Sequence, residues 1–243
     1  MVSIGKYKDF LKNIVTLAEQ YESSYVCVSN VHMTIEAFLD NKFSDVVNNA
    51  DITTPDGMPL AKAIRMLYNI DQDRAAGMDL MPDLMKISEE KNLSIFLYGS
   101  TNKVLAQIIS RAKVEFPNLV LNVYSPPFKT LSDEEKDNIV TMINEKKPDF
   151  IFVALGCPKQ EKWMAEHKDK FNSCMIGLGG ALEVYAGAKD RAPKWMQEYS
   201  LEWLYRFMQD PKRLWRRYLV TNTLFICLLF IQLVKVRIVN RNV

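Results

Sequence analysis

The feature that most constrains this chain is a rhythm. Six short apolar runs are each followed by a polar or glycine-bearing loop, and most of those loops lead into a stretch with helical spacing. The runs are Tyr25 to Val28, Asp45 to Val47, Ser94 to Tyr98, Leu119 to Tyr124, Phe150 to Leu155 and Cys174 to Leu178. Strands that alternate with helices can pair in parallel only through crossovers, so the chain predicts an α/β fold. The expected form is a Rossmann-like, mostly parallel sheet with helices on both faces. Phe150 to Leu155 is nearly continuous in apolar residues, as a strand buried on both faces should be. Helices are expected from Lys6 to Tyr21, up to Phe38, from Pro59 to Tyr68, to about Glu90, from Asn102 to Glu115, from Ser132 to Lys146 and from Lys159 to Lys170. Ser132-Asp133-Glu134-Glu135 has the form of a capping box. Met66, Met78, Met81 and Met85 read as flexible core packing.

The character changes after Arg191, which predicts an α/β domain over 1–191 and a helical appendage over 192–243. Pro193 to Asp210 is aromatic-rich and helical in spacing. From Lys212 onward there are seven basic residues and no acidic one, so the remainder holds 24 basic against 29 acidic residues. An acidic body with a basic tail points the tail at phosphates. Leu219 to Val234 carries no charge but is broken by Thr221, Asn222, Thr223 and Gln232. A spanning helix needs about 20 mostly apolar residues. The tail therefore reads as a basic helix lying in the membrane interface, with Arg213, Arg216 and Arg217 at i, i+3 and i+4 on one face. The other reading is a C-terminal helix docked on the domain. Cys27, Cys157, Cys174 and Cys227 are scattered without a CxxC pair, and His32 and His167 form no ligand cluster with them in sequence. Zinc and a disulfide framework are disfavoured. Met1 to Phe10 lacks the apolar core of a signal peptide, so a cytoplasmic location is the default.

Chemistry is expected at strand ends, because ligands bind outside the carboxyl edge of such sheets. In Thr54-Pro55-Asp56-Gly57, Asp56 stands between a residue that fixes the backbone and one that lets it turn. It reads as a catalytic base or as an ordinary turn residue. Gly156-Cys157-Pro158-Lys159-Gln160 joins a strand to a helix whose free N–H groups suit a diphosphate, with Lys159 adding charge. The sequence there lacks the P-loop spacing. Gly177-Leu178-Gly179-Gly180 would need its third fingerprint glycine at Leu182, which disfavours a nucleotide-dependent oxidoreductase. Those glycines more simply allow a ligand or another segment close to the backbone. Asn30 is a hydroxyl-binding candidate and Arg74 a bidentate phosphate clamp. Glu183 and Tyr185 are cleft candidates, although a core tyrosine with a satisfied hydroxyl is the simpler reading of Tyr185.

Taken together, the motifs resemble the WecG/TagA/CpsF family of bacterial glycosyltransferases. The resemblance runs in order through Thr54 to Met58, Arg74 to Leu80, Phe96 to Ser100, Leu155 to Trp163, Gly177 to Gly187, Arg191 to Gln197, Leu201 to Arg206 and Arg213 to Leu219. It implies inverting, metal-independent transfer of N-acetylmannosamine or a related sugar from a UDP-sugar. The acceptor would be a sugar linked through diphosphate to undecaprenol, at the inner face of the cell membrane, in cell-surface polysaccharide or teichoic acid synthesis. Asp56 would be the base. Asn30, Thr54, Arg74, Gly99, Ser100, Gly156, Lys159, Gln160, Gly179, Gly180 and Tyr185 would line the substrate cleft. Arg213, Arg216 and Arg217 would meet the lipid diphosphate or the membrane. No cofactor and no nucleic acid are implied, and a homo-oligomer is left open. Val28 stands where relatives often carry a hydroxyl residue. The rival from another class is a non-catalytic peripheral membrane protein that binds polyprenyl-linked or anionic lipids.

Overall fold

A computed structural model describes residues 2–239, apart from the side chains of residues 213, 216, 217 and 237–239. Six parallel strands form one sheet: β1 (Ser24–Ser29), β2 (Ile52–Pro55), β3 (Ile95–Gly99), β4 (Leu121–Tyr124), β5 (Phe150–Ala154) and β6 (Cys174–Gly177), in the order β2-β1-β6-β5-β3-β4. The helices are α1 (Tyr7–Glu19), α2 (Val31–Leu39), α3 (Asn41–Asn48), α4 (Met58–Tyr68), α5 (Gly77–Lys91), α6 (Asn102–Glu115), α7 (Asp133–Lys146), α8 (Lys159–Glu166), α9 (Ala181–Tyr185), α10 (Lys194–Glu198), α11 (Glu202–Gln209) and α12 (Pro211–Val239). The chain is thus α/β, as the strand–helix rhythm requires.

Alternation along each strand divides the core in two, because successive side chains point to opposite faces. Val26, Val28, Ile95, Leu97, Phe150, Phe152 and Ile176 pack on one face with α1, α5, α6 and α9. Tyr25, Cys27, Phe96, Tyr98, Ile151, Val153 and Met175 pack on the other with α2, α3, α7 and α8. The capping box forms: the Ser132 hydroxyl accepts from the Glu135 N–H, and the Glu135 carboxylate accepts from the Ser132 N–H.

Two expectations need correction. Asp45-Val46-Val47 is not a strand but part of α3. Asp40 caps that helix by accepting from the Lys42 and Phe43 N–H groups, and Phe43 and Val47 are buried four residues apart on one face. A helical repeat of two apolar anchors outweighed a short β-branched run. Strand β2 is instead Ile52–Pro55, so the motif at Asp56 is itself the strand end. Met66 lies 59% exposed rather than in the core, whereas Met78, Met81 and Met85 are buried.

The tail forms one 29-residue helix. At 1.5 Å per residue it is about 44 Å long. Its stretch Tyr218–Val236 is 19 residues long and apolar enough to cross a membrane, with only 6% of the scanned window buried. The helix continues through Lys235, beyond the uncharged run. The helix packs against α2, α4 and α11.

Candidate active site

The loops at the carboxyl edge of the sheet enclose a cleft of about 1420 Å³. Its floor comes from the ends of β1, β3, β5 and β6, and one wall from α11 and the first turns of α12, through Glu202, Arg206, Leu214 and Tyr218. Of the expected site residues, Asp56, Asn30, Gly99, Ser100, Gly156, Lys159, Gln160, Gly179 and Gly180 line it, as does Glu183. The geometry brings them together because all stand at strand ends, in the loops that follow, or in the first turn of the helices those loops open.

Asp56 is held by backbone. Its N–H donates to the Ser29 carbonyl at 2.7 Å, which extends the β1–β2 ladder by one bond. Carboxylate Oδ1 accepts from the Gly77 N–H at the start of α5, at 3.0 Å. Oδ2 faces the Asn30 amide at 3.5 Å. Asn30 is itself fixed as the cap of α2, its Oδ1 accepting from the Met33 N–H. Thr54 does not line the cleft. It is buried, and its hydroxyl donates to the Ala75 carbonyl while the Ala75 N–H donates to the Pro55 carbonyl. These bonds stitch the end of β2 to the segment Arg74–Gly77, which explains why two motifs separated in sequence act as one.

Burial raises the Asp56 pKa above the ordinary carboxylate range, and nearby Glu202 adds to this; Arg206, the Gly77 N–H and Arg74 pull the other way. A carboxyl displaced upward is a stronger base once ionised. For Arg206, burial alone would lower the pKa, but Glu202 and Asp56 hold it above the usual value, so its charge is secure.

Gln160 explains the glycines of β6. Its Oε1 accepts from the Gly156 N–H at 3.1 Å, and its Nε2 donates to buried Glu161 at 2.7 Å. A Cβ on Gly177 would sit 2.9 Å from that Nε2. The close neighbour the glycines admit is therefore a protein amide that they press into the cleft wall.

Two expected residues lie elsewhere. Tyr185 packs on the far side of the sheet core, its hydroxyl donating to Glu115 and its ring lying under the Arg111 guanidinium. Arg74 is not a cleft-lining clamp; its guanidinium is engaged by Asp79, Gln197 and Glu202. Arg213, Arg216 and Arg217 fall in the first two turns of α12, and their side chains lie outside the described residues. Arg206 and Glu202 are the site residues that sequence reasoning missed. Their signal was a Glu–Arg pair at i, i+4 on a short aromatic helix, which also describes an ordinary surface helix. Among the described residues, no three His, Cys, Asp or Glu side chains converge as a metal site.

The family model for the "Glycosyl transferase WecG/TagA/CpsF family" matches residues 2–238. The chain is 32% identical over 202 residues to an N-acetylglucosaminyldiphosphoundecaprenol N-acetyl-beta-D-mannosaminyltransferase of Bacillus subtilis (strain 168), covering 83% of this chain and 77% of that protein. It is 34% identical over 193 residues to a protein with the same name from Staphylococcus aureus (strain MW2), covering 79% and 74%.

Proposed function

The chain belongs to the WecG/TagA/CpsF family of glycosyl transferases, and on that premise we propose that its cleft moves N-acetylmannosamine or a close relative from a UDP-sugar to a sugar linked through diphosphate to undecaprenol. The observation that carries this reading is the pairing of a base and a cation across one cleft. Asp56, desolvated and held by Gly77 and Asn30, faces the same space as Arg206, on a wall continuous with a helix long enough to enter a membrane. The names of the relatives supply the acceptor class and the transferred sugar.

In this mechanism the acceptor hydroxyl oxygen attacks the anomeric carbon of the donor. Asp56 takes the hydroxyl proton as the new C–O bond forms. The bond from the anomeric carbon to the diphosphate oxygen breaks, and its electron pair leaves with UDP. A single displacement inverts the anomeric centre. Charge developing on the diphosphate is met by Arg206, by Lys159 and by the N–H groups that open α8, which are preorganised donors of the kind that stabilise such charge best. These groups can act without a metal, so transfer is read as metal-independent. Helix α12 would hold the enzyme at the inner membrane face, where the lipid-linked acceptor lies.

The test is UDP release by the purified full chain, screened over several UDP-sugars with and without a short-chain lipid-diphosphate N-acetylglucosamine acceptor. Release that needs both substrates supports the reading. Binding of anionic or polyprenyl vesicles with no release from any donor would support the non-catalytic lipid-binding alternative instead.

A further inference from the structure

Helix α11 supplies Arg206 to the cleft, yet it has no buried side chain of its own. Its neighbour α10 buries only Met196. Leu204, Tyr205 and Phe207 of α11 are only half-buried, so apolar packing fixes these helices in part, and segments with few buried apolar contacts open first. A network of charges adds a second anchor for α11. The Arg74 guanidinium lies between three elements: Nη2 donates to Asp79 Oδ2 in the first turn of α5 at 2.9 Å and to Gln197 Oε1 on α10 at 3.1 Å, and Nη1 donates to Glu202 Oε2 on α11 at 3.2 Å. Each carboxylate then holds a second arginine. Asp79 Oδ1 accepts from Arg191, and Glu202 Oε1 accepts from Arg206 at 2.7 Å. The result is a chain of alternating charge, Arg191–Asp79–Arg74–Glu202–Arg206, whose two end arginines both line the cleft. The Arg74 and Glu202 side chains are only 14% and 19% exposed, so solvent screens this link weakly.

We propose that Arg74 is a positioning residue: it acts through Glu202 to set α11 and hold Arg206 over the cleft, and it does not itself contact substrate. Both of its terminal nitrogens are already engaged by protein acceptors, and its side chain is not part of the cleft lining. An arginine suits this place because its planar fork reaches several acceptors in fixed directions, which a lysine ammonium on a flexible stem cannot reproduce. The same arginine also stitches the appendage helices to the segment that binds Asp56, since Gly77 donates to Asp56 three residues after Arg74. Base and cation are thereby set relative to each other. The inference rests on the reading of the cleft as a transferase site, but its structural half can be measured without turnover.

The experiment compares full-length wild type with Arg74→Met, Arg74→Lys, Glu202→Gln and the Arg74→Met/Glu202→Gln double variant. Hydrogen exchange followed by mass spectrometry reads the α10–α11 segment, and kcat/KM is read as a function of pH. Arg74→Met is expected to speed exchange across residues 194–209 while the six strands stay protected, and to lower kcat/KM by about 10²-fold, the usual loss when one charge-stabilising donor is displaced. Arg74→Lys should recover part of both. The double variant should lose no more than the worse single, because both substitutions break one connection. The acid limb of the pH profile should move upward in Arg74→Met. Asp56 is faced by Arg206, Arg74 and Glu202, and the variant removes one cation and releases the other. Lost turnover with unchanged exchange over α10–α11, additive losses in the double variant, or an Arg74→Met protein as active as wild type would each overturn the proposal. A wild type without turnover on any donor would defeat the transferase reading, while the exchange result would still decide the positioning role.

Discussion

Replacing Asp56 by Asn separates the chemical role of this side chain from its structural one. The structure indicates that little packing would be lost. The Asp56 N–H bond to Ser29 is backbone and stays. An Asn Oδ1 can still accept from the Gly77 N–H, now 3.0 Å away. Among its hydrogen bonds, only the 3.5 Å contact to Asn30 would be spoiled, and a bond that long contributes little, while the charge opposite Arg206 is lost. The lost hydrogen bonding should therefore cost the variant no more than about 1 kcal/mol. The sign follows from the raised pKa. A carboxyl whose folded pKa lies above its unfolded value favours folding most when protonated, and that contribution is lost as pH rises through the window between the two values. Wild type should thus lose ground to the variant as pH climbs from about 4, the ordinary Asp value, through the raised pKa, with no further divergence above it. Activity should behave in the opposite way. Losing a general base typically lowers turnover by about 10²–10⁴-fold, or about 2.7–5.5 kcal/mol of barrier. Urea melts at acid and neutral pH, together with acceptor-dependent UDP release, measure both effects. A fully active Asp56→Asn protein would refute the base assignment. An inactive variant that is also markedly destabilised would refute the claim that the local structure is held independently of the charge.

Other outcomes follow from the same geometry. Gly99→Ala would place a Cβ 2.5 Å from the Ala154 carbonyl oxygen at a residue with φ +112°, and it should cost about 2–5 kcal/mol from backbone strain and the clash, read as a lower urea midpoint. Transfer activity should survive EDTA, and loss on chelation restored by Mg²⁺ or Mn²⁺ would reject metal-independent chemistry. Ending the chain at Asp210 removes α12, including cleft residues Leu214 and Tyr218. The truncated protein should stay in solution, fail to sediment with anionic vesicles and lose at least about 10²-fold in turnover on a lipid-linked acceptor. In wild type, the acid limb of kcat/KM should lie above the ordinary carboxylate range, because burial raises the Asp56 pKa.

Much of the architecture was legible because parallel strands announce themselves as apolar runs between loops. The placement of Asp56, Asn30, Lys159 and Gln160 around one cleft followed from the rule that strand ends carry the site. What the sequence hid was partnership over long separations. Nothing near Arg74 in sequence shows that Glu202, on a helix 128 residues further on, takes its guanidinium. Local spacing likewise cannot show that Gly177 makes room for Gln160, or that Tyr185 turns toward Glu115 instead of the cleft. The strand misplaced to Asp45–Val47 failed for a different reason: three residues are too few to separate a strand from one turn of a helix.

The central claim is that one displacement at this cleft joins a donor sugar to a lipid-linked acceptor. It is tested most directly by incubating the full chain with UDP-N-acetylmannosamine and a short-chain lipid-diphosphate N-acetylglucosamine, then examining the product by mass spectrometry and NMR. Wild type should form a lipid-linked disaccharide whose new linkage has the anomeric configuration opposite to the donor's, and Asp56→Asn should form almost none. A product of retained configuration, or equal product from Asp56→Asn, would contradict it.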